Sequence, residues 1–300
     1  MSASVGVGRS APAGLRSLKS ESLFLATSAR VLAQPLGLLG FGLTLLMVLV
    51  ALLAPAIAPY DPNYQFQGRE LAAPDSTFLL GTDEVGRDLL SRIIHGARLS
   101  LAVGGASVAL GALVGVFSGL VSGYWEGWVD AVTMRLWDSV LAFPPVLVGI
   151  AVAALLGPST TNVAVALGIA SIPQFARLSR ASVLVEKHKE YVTAARCLGA
   201  SDARMILRHI FPNTVSPLFV QLAIAMAFAV MLEAGLSFLG IGAQPPEASW
   251  GTMLNRARRF LSAAPWYGVF PGLALVILLL GLNSLADAAR TALDPHRRQT

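Results

Sequence analysis

Leu36 to Ala58 reads LGLLGFGLTLLMVLVALLAPAIA, 23 residues without a charged side chain. A helix needs roughly 20 mostly apolar residues to cross the hydrocarbon of a bilayer, so this stretch names the solvent the fold is built for. Four more such runs follow: Leu99 to Gly123, Ser139 to Ala176, Ile210 to Gly242 with Glu233 as its only charge, and Phe260 to Ala286. Ser139 to Ala176 is too long for one crossing. Gly157-Pro158 divides it, because proline ends helices and glycine punctuates them, giving one helix up to about Leu156 and another from about Thr161. The sequence therefore predicts an all-α polytopic membrane protein with six transmembrane helices.

Composition agrees. Of 300 residues, 55% are hydrophobic and 13% charged, with mean hydropathy +0.65. Soluble domains carry about 25% charged residues, so a disordered chain is excluded and an ordinary cytosolic enzyme is disfavoured. The net charge of +5 fits the basic bias of cytoplasmic loops. One cysteine, Cys197, excludes an intramolecular disulfide framework and a Cys-based zinc site.

Six crossings put both termini on one side. With the N-terminus cytoplasmic, the inside segments 1–35, 124–138, 177–212 and 287–300 hold 15 Lys and Arg, against 7 in 59–98 and 241–265. The positive-inside rule then selects N-in, C-in, although Arg256, Arg258 and Arg259 lie outside. Residues 1–35 read as a cytoplasmic tail and 291–300 as a second. Residues 36–58 form the first crossing, uncleaved, because its apolar run exceeds a signal-peptide core and starts late. Residues 59–96 form an extracytoplasmic loop, and 97–290 hold the other five helices.

Catalytic motifs are missing. There is no G-x-x-x-x-G-K-[ST] loop for ATP and no H-E-x-x-H, and the four histidines lie in different segments. Gly235-Leu236-Ser237-Phe238-Leu239 lacks the second glycine of a nucleophile elbow. An enzyme is poorly supported.

Other features concern packing and passage. Gly111, Gly115, Gly119 and Gly123 share one helix face and permit close approach of another backbone, within the chain or from a partner subunit. Pro144-Pro145 interrupts the third crossing, and Pro173 and Pro217 disturb the fourth and fifth. Such breaks suit a gated pathway and also occur in static bundles. Glu233 is either a pathway or gate residue or a hydrogen-bonded structural carboxylate. Arg135 and Asp138, three apart, can pair on one helix.

The segment 186–213 is the most informative. Its spacing predicts a helix from about Lys187 to Leu198, stopped by Gly199, and a second capped by Ser201, with Asp202 in its first turn, ended by Pro212. Tyr191, Ala194, Ala195 and Leu198 form one small apolar face. A helix this short between two crossings cannot build a core and should dock into a groove on another molecule. Cys197 reads as a small packed residue.

This segment resembles the coupling loop of ABC importer permeases. That pattern is Glu-Ala-Ala, three residues, Gly, nine residues, then Ile-x-Leu-Pro. Here Thr193-Ala194-Ala195 precedes Gly199 and His209-Ile210-Phe211-Pro212. Thr193 replaces the glutamate, and Glu190 stands one turn earlier. The stretch Leu80-Gly81-Thr82-Asp83-Glu84-Val85-Gly86-Arg87-Asp88, Glu233-Ala234-Gly235-Leu236-Ser237-Phe238-Leu239-Gly240, Ser249-Trp250-Gly251 and Leu293-Asp294-Pro295 narrow the resemblance to the second permease of the dipeptide/oligopeptide/nickel family.

The resemblance implies the type I importer permease fold and half of a heterodimeric pore in the bacterial inner membrane. The partners would be a homologous permease, two cytoplasmic ATPases and an extracytoplasmic binding protein, with no nucleic acid. This chain would hold no cofactor, ATP and magnesium residing on the ATPases. The ATPase contact would be Glu190, Tyr191, Thr193, Ala194, Ala195, Arg196, Leu198, Gly199, Ala200, Ser201, Asp202 and Pro212, and Arg256, Arg258 and Arg259 would meet the binding protein. The expected cargo is a di- or oligopeptide, with nickel or another small solute as the alternative. An ATP-independent channel or secondary transporter is the alternative class.

Overall fold

The computed structural model describes residues 31–293; residues 1–30 of the expected N-terminal tail and 294–300 of the C-terminal one lie outside it. In chain order the helices are α1 (Pro35–Ile57), α2 (Leu89–Trp125), α3 (Gly127–Leu141), α4 (Pro145–Leu156), α5 (Thr160–Glu186), α6 (Glu190–Cys197), α7 (Asp202–Arg204), a π-helical turn (Met205–Ile210), α8 (Phe211–Phe238), α9 (Trp250–Ala257) and α10 (Trp266–Leu293). Among the described residues no β-strand occurs, only an isolated bridge between Thr82 and Asp88.

Four helical stretches are long and apolar enough to cross a membrane: α1, α2, the continuous run Asp202–Phe238 and α10. The pair α3 and α4 makes a fifth if counted as one. Helix α5 has the length, at 27 residues, but Gln174, Arg177 and Arg180 make it more polar.

Glycine sets the centre of the bundle. Gly111 faces Ser171, Gly115 faces Ile172 and Phe175, Gly119 faces Ala176 and Ser179, and Gly123 faces Val183. Both sets of numbers rise together, so α2 and α5 run parallel. A Cβ on Gly119 would lie 2.3 Å from the Ala176 carbonyl oxygen, closer than any side chain tolerates. The glycine face is thus filled by α5 of the same chain. Helix α8 runs antiparallel to α2, with Gly104 against Met226 and Val230. Helices α1 and α10 pair antiparallel through Gly40 against Leu285 and Gly281 against Thr44. Leu36, Leu38 and Leu52 on α1 remain exposed, the side chains lipid would cover.

Parallel α2 and α5 require the chain between them to return along the bundle. It does so through α3 and α4, which meet at 84°. The sequence predicted one kinked helix here. The corner is sharper because consecutive Pro144 and Pro145 remove two N–H donors, and each proline pushes its predecessor toward extended backbone; Pro144 has ψ of 134°.

Two other expectations change. Helix α2 starts at Leu89, where the Asp88 carboxylate accepts from the Ser91 N–H at 2.8 Å, so residues 89–96 of the expected loop are helical. Pro212 ends no helix. It lies inside the continuous run Asp202–Phe238, directly after a π turn, the local widening at which a helix takes up a residue without an N–H.

Candidate functional site: the two ends of the bundle

Helix α6 lies at the end of the bundle where α2 finishes. Lys187 donates to the Gly123 and Tyr124 carbonyls at 3.3 and 3.2 Å and pairs with Glu126. A cation at a helix C-terminus satisfies free carbonyls and opposes the dipole. Tyr124 donates its hydroxyl to Asp202 at 2.5 Å, which ties down the start of α7. Ser201 occupies the N-cap position with extended backbone, but its side chain makes no capping bond, contrary to the sequence reading; Asp202 is held by Tyr124 instead.

The apolar face expected to dock outward is divided, Tyr191 and Ala195 turning to the bundle and Ala194 and Leu198 to the outside. Val192 is buried, and Tyr191, Ala195 and Ala200 pack beside it on Leu120, Tyr124, Val183, Met205 and Ile210. Ala194 and Leu198 point away, with Leu198 88% exposed. The exposed side comprises Glu190, Thr193, Ala194, Cys197 and Leu198, which recur at helical spacing, with Arg196 and Gly199 beside them. The short helix is thus apolar on both sides, and the bundle takes the side centred on Val192. Cys197 is exposed rather than packed. Gly199 ends the helix with φ of +76°, a conformation that favours glycine.

One polar knot holds α6 in place. Tyr191 donates its hydroxyl to Glu186, and the same hydroxyl lies 3.0 Å from the His209 carbonyl. Asn213 donates to the Tyr191 oxygen at 3.1 Å and to the His209 carbonyl at 2.7 Å. Lys189 donates to the other Glu186 oxygen at 2.5 Å. Burial, then the bond to Glu186, pushes the Tyr191 hydroxyl well above its usual pKa, so it stays a donor. The knot joins the end of α5, α6 and the start of α8. Sequence reading took Tyr191 as apolar and missed Glu186 and Asn213.

Residues 59–88 and α9 fold over the opposite end. Asp83 accepts from the backbone N–H of Val85 and Arg87 and from the Arg87 guanidinium at 2.6 Å. Both side chains are nearly inaccessible. Arg92 lies 3.6 Å from the same carboxylate and donates to the Pro62 carbonyl at 2.8 Å. Glu84 accepts from Arg256 at 2.7 Å and from the Tyr267 hydroxyl. Trp250 is fully buried and donates to the Ile93 carbonyl at 3.0 Å. The Gly-Thr-Asp stretch therefore builds an interior. Of the three arginines expected at a docking surface, Arg256 is occupied internally, while Arg258 and Arg259 are exposed, Arg258 lying over the Phe238 ring.

Glu233 is buried below this cap. Its oxygens accept from the hydroxyls of Ser100 at 2.9 Å, Ser237 at 2.8 Å and Ser249 at 3.1 Å. Three donors from α2, α8 and the residue before α9 make it a joint between helices. Pro144 and Pro145 stand at the corner between α3 and α4. Arg135 does not pair with Asp138; Arg177 does, at 2.6 Å. Among the described residues no three His, Cys, Asp or Glu side chains converge as metal ligands.

Residues 111–299 match the family described as binding-protein-dependent transport system inner membrane component, and residues 23–74 match the N-terminal TM domain of oligopeptide transport permease C. The chain is 44% identical over 257 residues to the di/tripeptide transport system permease protein DppC of Pseudomonas aeruginosa, covering 84% of this chain and 85% of that one. It is 45% identical over 252 residues to the glutathione transport system permease protein GsiD of Pectobacterium atrosepticum, covering 84% of each. Among solved structures, a chain of the MetNI methionine ABC transporter has a TM-score of 0.56 at 16% identity, covering 68% of this chain and 97% of that one, which bears on the fold alone. The chain belongs to the binding-protein-dependent transport inner membrane components, as a multi-pass ABC-importer permease of the bacterial inner membrane and not an enzyme.

Proposed function

We propose that this chain is one of two homologous permease subunits of an ATP-driven peptide importer. Its exposed α6 face docks on a cytoplasmic ATPase, and an extracytoplasmic binding protein delivers di- or oligopeptides to the opposite end. The observation that carries this reading is α6 itself, an eight-residue helix held by its Val192 side with Leu198 left 88% exposed. An apolar side chain so placed beside exposed Glu190, Thr193 and Ala194 suits a groove on another protein. Similarity to di/tripeptide and glutathione permeases supports peptide as cargo.

The topology is six crossings, the α3–α4 pair counting as one and α5 as another. The start of α1 and the end of α10 lie at the α6 end, which supports both termini being cytoplasmic, as does the surplus of Lys and Arg in the segments assigned to that side. ATP and magnesium belong to two ATPase partners. Closure of the ATPases would push α6, and the knot at Tyr191 would pass that push to α5 and α8. Each partner must prefer one state of the pore for the cycle to run. Arg258 and Arg259, with Arg256 locked to Glu84, are exposed basic residues offered to the binding protein.

Mass spectrometry of material co-purified from native membrane in mild detergent tests the assembly. A homologous permease, ATPases and a peptide-type binding protein are expected. Recovery of the chain alone after crosslinking through Cys197 would favour a self-sufficient channel. Leu198→Asp should cut uptake by tenfold or more, with the melting temperature of the purified complex unchanged. Undiminished uptake would remove α6 from the coupling path.

A further inference from the structure

A narrow cleft with about 20 Å³ of free space, room for about one water or the edge of one amide, lies between α2, α4, α5 and α8. Ser107, Gln174 and Ala225 line it, and each stands near the midpoint of its own membrane-length helix. The cavity therefore sits near the bilayer midplane. Pro145, at the corner where α3 gives way to α4, forms part of the wall, so the helix break opens on this space. Transporters place their substrate sites at that depth, where broken helices expose polar groups.

The polar groups of the wall are neutral. Ser107 and Ser171 donate their hydroxyls back to the carbonyls of Val103 and Gly168, which leaves oxygen lone pairs as acceptors. Gln174 is exposed, and at the mouth Gln221 of α8 donates to its oxygen at 3.1 Å. Two amides joined by one hydrogen bond retain one N–H donor set and one carbonyl acceptor. That remains true whichever way the two amides are turned. A peptide bond offers the complement, a carbonyl and an N–H. Exposed amides at the midplane are costly against lipid and need water, protein or a polar solute.

We propose that this cavity is a peptide-backbone subsite of the translocation path, in which the Gln174 and Gln221 amides pair with one amide of the passing peptide. The assignment rests on the peptide-import reading and adds the place and the groups. It makes passage indifferent to side-chain identity, because only one backbone amide enters the narrow cleft walled by Val108, Leu167, Phe228 and Leu232.

The test uses the complete complex with its own partner subunits in proteoliposomes, the labelling of Cys197 in the parent complex being subtracted in the labelling arm. Gln174→Leu combined with Gln221→Leu should lower dialanine uptake about tenfold, as expected for two lost hydrogen bonds. ATP hydrolysis stimulated by the loaded binding protein should persist, since neither residue touches α6. Separately, a cysteine introduced by Gln174→Cys should react with a water-soluble methanethiosulfonate, and dialanine under turnover should slow that reaction severalfold. A double variant with wild-type uptake overturns the subsite while leaving peptide import standing, and so does labelling that dialanine leaves unchanged. An unsubstituted complex that carries no peptide overturns the functional reading and the subsite together.

Discussion

The two ends of this bundle are built by opposite means. At one, residues 59–88 and α9 bury Asp83, Arg87, Arg92 and Glu84 in a dense network crossing more than 150 residues of sequence. At the other, α6 is a short helix held by one buried valine, a few partly buried neighbours and the hydroxyl of Tyr191. Buried charge pairs tolerate little displacement, because separating them leaves an uncompensated ion. A helix held by few contacts can move as a unit without unfolding its neighbours. The first end is built as a rigid platform, and the second as the lever that the proposed coupling to an ATPase calls for.

The largest effect should come from damaging the platform. Arg87→Met leaves the Asp83 carboxylate buried, with two backbone donors and Arg92 at 3.6 Å but without its one guanidinium hydrogen bond. Breaking a buried pair costs about 3–5 kcal/mol. The purified variant should lose most of its thermal stability or fail to accumulate in membranes, read by melting in detergent and by immunoblot. A variant as stable as the parent would mean that water reaches this network and that the contrast between the ends is false.

A smaller and different effect is expected at the lever. Tyr191→Phe keeps the ring against Val192 and deletes the hydroxyl shared by Glu186, Asn213 and the His209 carbonyl. A hydrogen bond to a charged group contributes about 1.5–3 kcal/mol, part of which Lys189 retains. Global melting should barely move, while uptake per ATP hydrolysed falls severalfold. If melting and coupling decline together, the knot holds the whole bundle and α6 is no separate lever.

How much of this contrast was legible in the sequence depended on distance along the chain. The apolar runs locate the crossings because burial in lipid is a local property of composition. The α2 glycines are legible as a close-packing face, because spacing of four is also local. Pro144-Pro145 announces a break but not its 84° angle, which depends on how α4 packs against Leu236 and its neighbours. The pairing of Glu84 with Arg256, or of Gln174 with Gln221, has no local signature at all. On α6 the spacing locates the helix, but how its small apolar residues divide between the bundle and the outside is decided only by packing against Leu120, Tyr124 and Met205. Among the site residues, those in loops were placed by resemblance, and their internal partners emerged only from the fold.

The smallest expected effect concerns acid and sharpens the platform side. Burial raises the Glu84 pKa, but bonds from Tyr267, its own backbone and Arg256 outweigh it, and the carboxyl titrates below its ordinary value. A depressed carboxylate pKa contributes stability that is fully present above the unfolded value, about 4.3, and is lost as pH falls through the folded value. Hydrogen exchange across residues 59–88 should therefore keep constant protection from pH 8 to pH 5, after correction for intrinsic rates. Protection should fall only below the carboxylate range, as Glu84 takes a proton and releases Arg256. Glu84→Gln mimics that proton, so it should show the acid level of protection already at neutral pH, while exchange in α6 stays as it was. Loss of protection between pH 8 and pH 5 would assign the titration to another group and leave the clasp between Glu84, Arg256 and Tyr267 without a measurable share in holding the platform.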